Sequence, residues 1–386
     1  MLRSSTSRNT LFAALAALVC GAVVSAQTIA EQSLAGYDEL VRSYNVVTFG
    51  NLTLNGTHTD GGIAVGGNLT LGSGTVVAMH DTPSTGPDPS LYVQGQITLN
   101  GNSQLNRGYV STPALSNTVQ WTYNPANNQY QRELSVGGNA LAYNTSDPLA
   151  YADPRTVAGP AGWDWSVAQA TAISVSLDLA STAATGAIGI SGQTLTFTST
   201  ADGVVVFTLD ASLIVNGIYD INGDGIFDQN NERISNIQVN VGDNQHFVVN
   251  VLNSTSDDGS KVLFGGVNNF TAGTNNDQLL WNIIPDSNAN TTDLLTLGTD
   301  FHGSILAPLV DIQNNNHYLN GQVIAGSLTQ TGAEIHYAGG FDGPVIFSPV
   351  PEPGTYALIA CGLCVVGILA RRRLQTHRAA RPPADI

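Results

Sequence analysis

Oxygen-bearing side chains crowd one stretch of the chain, Asp220-Ile221-Asn222-Gly223-Asp224-Gly225-Ile226-Phe227-Asp228. Hard divalent cations take several oxygens at once. Oxygen side chains at positions 1, 3, 5 and 9, a glycine at 6 for the sharp turn and a backbone carbonyl at 7 form the pattern of a calcium loop. The predicted ligands are therefore Asp220, Asn222, Asp224, the Ile226 carbonyl and Asp228, holding calcium in a structural role. Position 12 is Asn231, and Glu232 comes one residue late. That spacing argues against a helix-loop-helix site and leaves the shorter loop of extracellular repeat proteins. The metal-free alternative is a plain Asx/Gly turn.

Three other sets of residues invite chemistry. His302, His317 and His336 stand 15 and 19 residues apart and fit one column of a coiled β structure. They lack a short ligand spacing such as His-x-His, which favours polar corner residues over a metal site. Thr53, Thr70 and Thr98, joined by Thr329, point outward from short strands and suggest a flat threonine column of the kind ice-binding solenoids use. Paired Thr-x-Thr in every coil is missing, however, and threonine is also an ordinary strand residue on a solvated face. Trp121, Trp163, Trp165 and Trp281 are candidates to stack on sugars, against the plainer expectation that large aromatics fill the core.

Catalytic constellations are harder to find. There is no nucleophile elbow, HExxH motif or phosphate-binding glycine loop. Hydrolysis of a glycan needs two facing carboxylates, and lyase chemistry needs a base beside cations or calcium. The sequence does not show which carboxylates face each other, so the expectation is a protein that is not an enzyme. A glycan-active β-solenoid lyase or hydrolase and an ice-binding surface protein are the alternatives.

Composition narrows the field further. Residues 27–350 carry six basic side chains against 27 acidic ones, a formal charge of −21. Such a surface repels phosphate backbones, so no nucleic-acid partner is expected. All three cysteines, Cys20, Cys361 and Cys364, lie outside those residues. Stability must then come from burial and backbone pairing rather than disulfides.

The two ends read as targeting segments. Arg3 and Arg8 precede an apolar run from Leu11 to Val24 and the small-residue site Val24-Ser25-Ala26, the layout of a cleavable signal peptide over residues 1–26. At roughly 14 residues the run is short for a membrane span, which needs about 20. At the other end, Val350-Pro351-Glu352-Pro353-Gly354-Thr355 leads into an apolar stretch from Tyr356 to Ala370 and then Arg371-Arg372-Arg373. The stretch predicts a single transmembrane helix, and the arginines place residues 374–386 as a basic cytoplasmic tail with the body outside. This end resembles the PEP-CTERM sorting signal, with Val350, Pro351, Glu352 and Pro353 as its motif over residues 351–373. The resemblance implies an exosortase-type processing enzyme as partner and a membrane anchor that is transient; the alternative is an ordinary anchor that is never cut.

What positions these residues is a repetitive β body, residues 27–350. Gly50-Asn51-Leu52-Thr53-Leu54, Gly67-Asn68-Leu69-Thr70-Leu71 and Gly95-Gln96-Ile97-Thr98-Leu99 echo one another, 17 and then 28 residues apart. Late in the chain Gly303-Ser304-Ile305-Leu306-Ala307 and Gly321-Gln322-Val323-Ile324-Ala325 recur 18 apart. A short strand, a Gly/Asn corner and a return after one circuit describe a right-handed β-solenoid-like body, with Leu52 and Leu54 inward and Thr53 outward. A β-sandwich with tight hairpins is the rival. Residues 164–180 predict a flanking helix capped by Asp164, residues 31–43 a short capping helix. Strands are expected at 194–199, 204–210, 246–252, 262–265 and 279–284.

The body also resembles the choice-of-anchor A family. Tyr44-Asn45-Val46-Val47, Gly62-Ile63-Ala64-Val65-Gly66-Gly67-Asn68, Phe301-His302-Gly303 and Glu334-Ile335-His336 carry the likeness. It implies an adhesive surface domain without catalytic residues. The expected function is thus an exported cell-surface or extracellular-matrix protein with a structural or adhesive role in biofilm architecture. Extracellular polysaccharide or other surface proteins would be its partners.

Overall fold

The computed structural model describes residue 40 and residues 43–80, 88–114, 120–123, 132–145, 147–215, 218–220, 225–226, 232–254, 262–273, 276–286, 294–337 and 339–343. All belong to the first of the chain's two compact units, Met1–Ile346. The expected signal peptide and the whole C-terminal sorting segment lie outside the described residues. So does the 31–43 helix, apart from helical positions at Leu40 and Ser43.

The fold is mainly β, and its short strands come in circuits. β1 (Val46–Thr48) and β2 (Leu52–Asn55) are followed by β3 (Ile63–Val65), β4 (Leu69–Leu71) and β5 (Val76–Val77). β6 (Leu91–Val93), β7 (Ile97–Leu99) and β8 (Ser103–Leu105) make the next circuit, and β9 (Val110–Ser111) begins another. Each strand pairs in parallel with its counterpart one circuit later: Val46 with Ile63, Ile63 with Leu91, Leu91 with Val110. Leu52, Leu69 and Ile97 form a second such ladder. The echoes 17 and 28 residues apart are therefore the lengths of one circuit.

Glycine at the corner has a steric cause. Gly67 N–H donates to the Gly50 carbonyl at 2.8 Å, and a Cβ on Gly67 would sit 2.6 Å from that carbonyl's carbon and oxygen. The corner backbones touch, so no larger residue fits. Inward leucines then close the circuit: Leu52, Leu54, Leu69 and Leu71 are fully buried while Thr53 and Thr70 are not.

The order of strands in the long sheet differs from their order in the sequence. It runs Gly203–Asp210, Gln245–Leu252, Leu279–Ile283, Ser304–Asn315, Val323–Thr331, then β1, β3, β6 and β9. β1 is thus an interior strand. Val46 pairs with Val323 and Thr48 with Ala325, and β2 pairs with the far half of the same strand, Leu52 to Leu328 and Thr53 to Thr329. Every pairing between the described strands of this sheet is parallel, which excludes the hairpin-built sandwich.

The helix expected over 164–180 is present at Trp165–Ser181, its Asp164 cap accepting from the Ser166 and Val167 amides. It lies across the sheet. Ala168, Ala172, Val175 and Leu179 are its buried face, set over strands such as Leu279–Ile283 that are buried along their whole length. Strands covered on both sides lose the in-out alternation and become continuously apolar. A buried amide network fixes the register between helix and sheet. Asn282 Nδ2 donates to the Ser176 carbonyl and to Asn250 Oδ1, each at 2.8 Å. Ser176 Oγ donates to Asn282 Oδ1 at 2.7 Å, and Asn250 Nδ2 to the Leu179 carbonyl at 2.7 Å.

The expected strands in the middle of the chain are found at Thr194–Thr198, Gly203–Asp210, Gln245–Leu252, Val262–Leu263 and Leu279–Ile283. No helix among the described residues is long and apolar enough to cross a membrane. The expected span over 356–370 lies outside them.

Candidate functional site

One face of the body carries no helix among the described residues. On it, Thr296, Gln313, Thr329, Thr53, Thr70 and Thr98 stand in register as one column across six parallel strands. Beside it runs a second ladder in which each corner side chain accepts from the backbone of the next circuit. Asn51 N–H donates to Ser327 Oγ at 3.2 Å, Asn68 N–H to Asn51 Oδ1 at 2.9 Å, and Gln96 N–H to Asn68 Oδ1 at 2.9 Å. On the other flank Asn315, Thr331 and Asn55 align. These side chains are half-buried or exposed. The Thr column carries no charge, and Asp311, in register with Ser327, is the acidic neighbour at its edge.

Parallel strands repeat about every 4.8 Å. The face therefore offers hydroxyl and amide groups at a fixed short period, suited to a regular polar surface or an extended polymer. The predicted threonine column is real, and it is longer than the sequence suggested because Gln313 and Thr296 extend it.

The histidines divide differently from expectation. His302 and His336 share a column through Asn320, but His317 stands outside it, 3.6 Å from Asp300. His336 is held by hydrogen bonds on both nitrogens, Nδ1 to Asn320 Oδ1 at 2.7 Å and Nε2 to Glu334 Oε2 at 2.8 Å. Glu334 Oε1 in turn meets His58 Nδ1 at 3.0 Å. The His336 hydrogen bond, with help from His58, holds the Glu334 carboxyl below the usual carboxylate range. Burial pushes the His302 imidazole down. Among the described residues no group of three or more His, Cys, Asp or Glu is placed to hold a metal ion.

Of the calcium loop, Asp220 and Ile226 are described, while Asn222, Asp224 and Asp228 lie outside the described residues. Asp220 is buried, and its Oδ2 accepts from the Gly225 amide at 2.8 Å. Gly225 has φ +77°, the left-handed turn that position 6 requires. The Ile226 side chain is exposed. This local geometry is common to a metal loop and an Asx turn.

The tryptophans also separate. Trp281 is fully buried, ringed by Phe197, Phe264, Phe270 and Phe301, and its Nε1 donates to the His302 carbonyl at 2.8 Å. It is core. Trp163 and Trp165 are half-exposed and meet Tyr92 at the start of the helix. The sequence signal for that difference was Trp-Asp-Trp straddling a helix cap, a place where side chains leave the core. The Trp121 side chain is outside the described residues.

The described body is mainly β, with an uncharged polar column across six parallel strands. A family model described as "Putative Ice-binding-like adhesive domain" matches residues 38–337, and the chain belongs to that family. The PEP-CTERM protein-sorting motif matches residues 349–373. That match includes Val350, Pro351, Glu352 and Pro353, implies processing by an exosortase and indicates export to the cell surface. Neither the curated proteins nor the solved structures compared with the chain gave a match.

Proposed function

We propose that this is a non-enzymatic structural and adhesive protein of the cell surface or extracellular matrix, whose β-solenoid body, residues 27–350, binds through its polar face. The observation that carries the reading is the uncharged column from Thr296 to Thr98, held in register by six parallel strands on an otherwise strongly acidic body. A flat array without charge makes many weak, additive hydrogen bonds rather than one tight site. That suits polysaccharide or neighbouring surface proteins as partners. The helix over 356–370 serves as a sorting handle in the membrane before cleavage near Pro351-Glu352-Pro353. The Asp220–Asp228 loop takes calcium as a structural ion.

A deletion strain, compared with strains carrying Thr53→Lys/Thr70→Lys and lacking residues 351–386, tests the reading. Aggregation should fall in the first two, and the body should be mislocalised in the third. Unchanged aggregation in the deletion strain overturns adhesion. Isothermal titration with calcium tests the loop, with Asp224→Ala as the control; no heat in the wild type removes it.

The same threonine column supports a second reading, ice binding. It predicts thermal hysteresis and faceted ice crystals from the purified protein. Round crystals refute it.

A further inference from the structure

An open cavity of about 580 Å³ lies where the helix begins, its lining including Tyr92, Gln94, Trp163, Asp164, Trp165 and Gln169. Its aromatic wall is ordered by mutual contacts. Tyr92 and Trp165 stack with ring centres 5.4 Å apart and planes 25° apart. Trp163 sets its edge against Trp165 at 5.1 Å and 70°, and against Tyr92 at 6.2 Å and 89°; Tyr44 backs Trp163 at 5.7 Å. Both indole Nε1–H groups are shielded from solvent and have no acceptor among the described residues.

The rest of the lining is polar and adaptable. Gln94 and Gln169 are exposed. The bonds that the Asp164 cap accepts from the Ser166 amide, the Ser166 hydroxyl and the Val167 amide all end on Oδ1, which leaves Oδ2 as an acceptor. These bonds, led by that from the Ser166 hydroxyl, hold the carboxyl below its ordinary range. Among the described residues, no lysine or arginine lines the cavity. Apolar ring faces beside two carboxamides and a carboxylate match a ligand with one C–H face and a rim of hydroxyls. They do not match a phosphate or an acidic sugar.

We propose that this cleft is a carbohydrate site, taking a neutral pyranose unit of a glycan against the Tyr92–Trp163–Trp165 wall. Gln94, Gln169 and Asp164 serve as hydroxyl partners. The site rests on the adhesive reading and gives that reading a ligand class and a second point of attachment.

The test is titration of the purified full-length protein with linear neutral gluco-, manno- and galacto-oligosaccharides, with polygalacturonate as the acidic comparison. Tryptophan fluorescence and calorimetry are the readouts. Saturable binding of a neutral oligosaccharide is expected, weakened at least tenfold by Trp165→Ala and by Gln94→Ala/Gln169→Ala. The glutamine pair is exposed, so this variant should keep the wild-type melting temperature. No saturable signal across the neutral panel, tighter binding of polygalacturonate, or wild-type affinity in the glutamine variant would each overturn the site. Cell aggregation in the deletion strain is scored separately. If it depends on the protein while no sugar binds, the cleft falls and the adhesive reading stands.

Discussion

Replacing Asn282 by alanine probes how helix and sheet are held together. The side chain sits fully buried between two partners, accepting from Ser176 Oγ and donating to the Ser176 carbonyl and Asn250 Oδ1. Without it, two buried groups, Ser176 Oγ and Asn250 Oδ1, lose their partner in the bridge. At about 1–3 kcal/mol for each orphaned group, the loss is about 4 kcal/mol. Ser176→Ala alone removes one hydroxyl and should cost about 1 kcal/mol. Because both residues belong to one network, the double variant should lose less than the sum of the singles, with a coupling of about 1 kcal/mol. Urea unfolding of the three variants, followed by circular dichroism, gives all these quantities. For a body of this size each kcal/mol moves the melting temperature by about 2–4 °C, so Asn282→Ala should melt about 10 °C early. A loss below about 1 kcal/mol, or strict additivity with Ser176→Ala, would refute the bridge as the helix anchor.

Gly67→Ala drives a methyl into the Gly50 carbonyl and should cost about 1–3 kcal/mol as overpacking, whereas Gly189→Ala, whose Cβ meets nothing closer than Thr196 Oγ1 at 3.7 Å, should leave the melting temperature unchanged or raise it. Equal melting of the two would refute corner contact as the reason for the repeat. Burial lowers the His302 pKa in the folded state, so the unfolded chain takes the proton first; stability should be full above about pH 6.5 and decline below it. The lowered Glu334 pKa adds stability that is present above about pH 4.5 and lost as pH falls through the folded value. Melting curves from pH 8 down to about pH 2 should show both losses, and His302→Gln should flatten the upper one; an unchanged slope speaks against it. Removing residues 349–386 should abolish processing and retention at the cell surface, read by immunoblot of cell and medium fractions.

Much of this fold is legible locally. Leu-Thr-Leu between Gly-Asn corners states a strand with two buried residues and one outward one, and the spacing of its copies states the circuit. The helix follows from Asp164 and the apolar positions behind it. The hairpin of Arg132–Val136 and Asn139–Tyr143 is signalled only by Gly137-Gly138, whose positive φ makes the two-residue turn that joins them. The insertion of β1 beside Val323–Thr331 was not legible. Nothing in Val46-Val47-Thr48 favours a partner far along the chain over the next circuit, because all the ladders share one pattern and one register. The same degeneracy hid the split among the histidines: 15- and 19-residue spacings put His302 and His336 in line, but a corner offset leaves His317 beside Asp300.

That discontinuous order explains why the long sheet does not add further strands. A stack of parallel circuits ends in unpaired backbone on both sides, an invitation to edge-to-edge association. Here both ends are closed by the middle of the chain, on either side of the helix. Past β9, Thr112 N–H donates to the Pro154 carbonyl at 3.0 Å and Ser111 Oγ to the Val157 carbonyl at 2.8 Å. At the other edge, in Gly203–Asp210, the Val206 carbonyl accepts from the Thr185 and Gly186 amides at 2.8 and 2.9 Å, and Val206 N–H donates to Thr185 Oγ1 at 3.0 Å. Residues 154–157 and 185–186 are therefore the two stoppers, and the Trp165–Ser181 helix is the strap that joins them across the back. At about 1.5 Å per residue that strap spans about 25 Å, or about five strand spacings, which carries it from the Tyr92 strand toward Asn250. Among the described residues, no helix covers the threonine column. Capping the ends and freeing the polar ladder are consequently one architectural decision, and a variant that loosens the helix should expose edges before it disturbs the ladder.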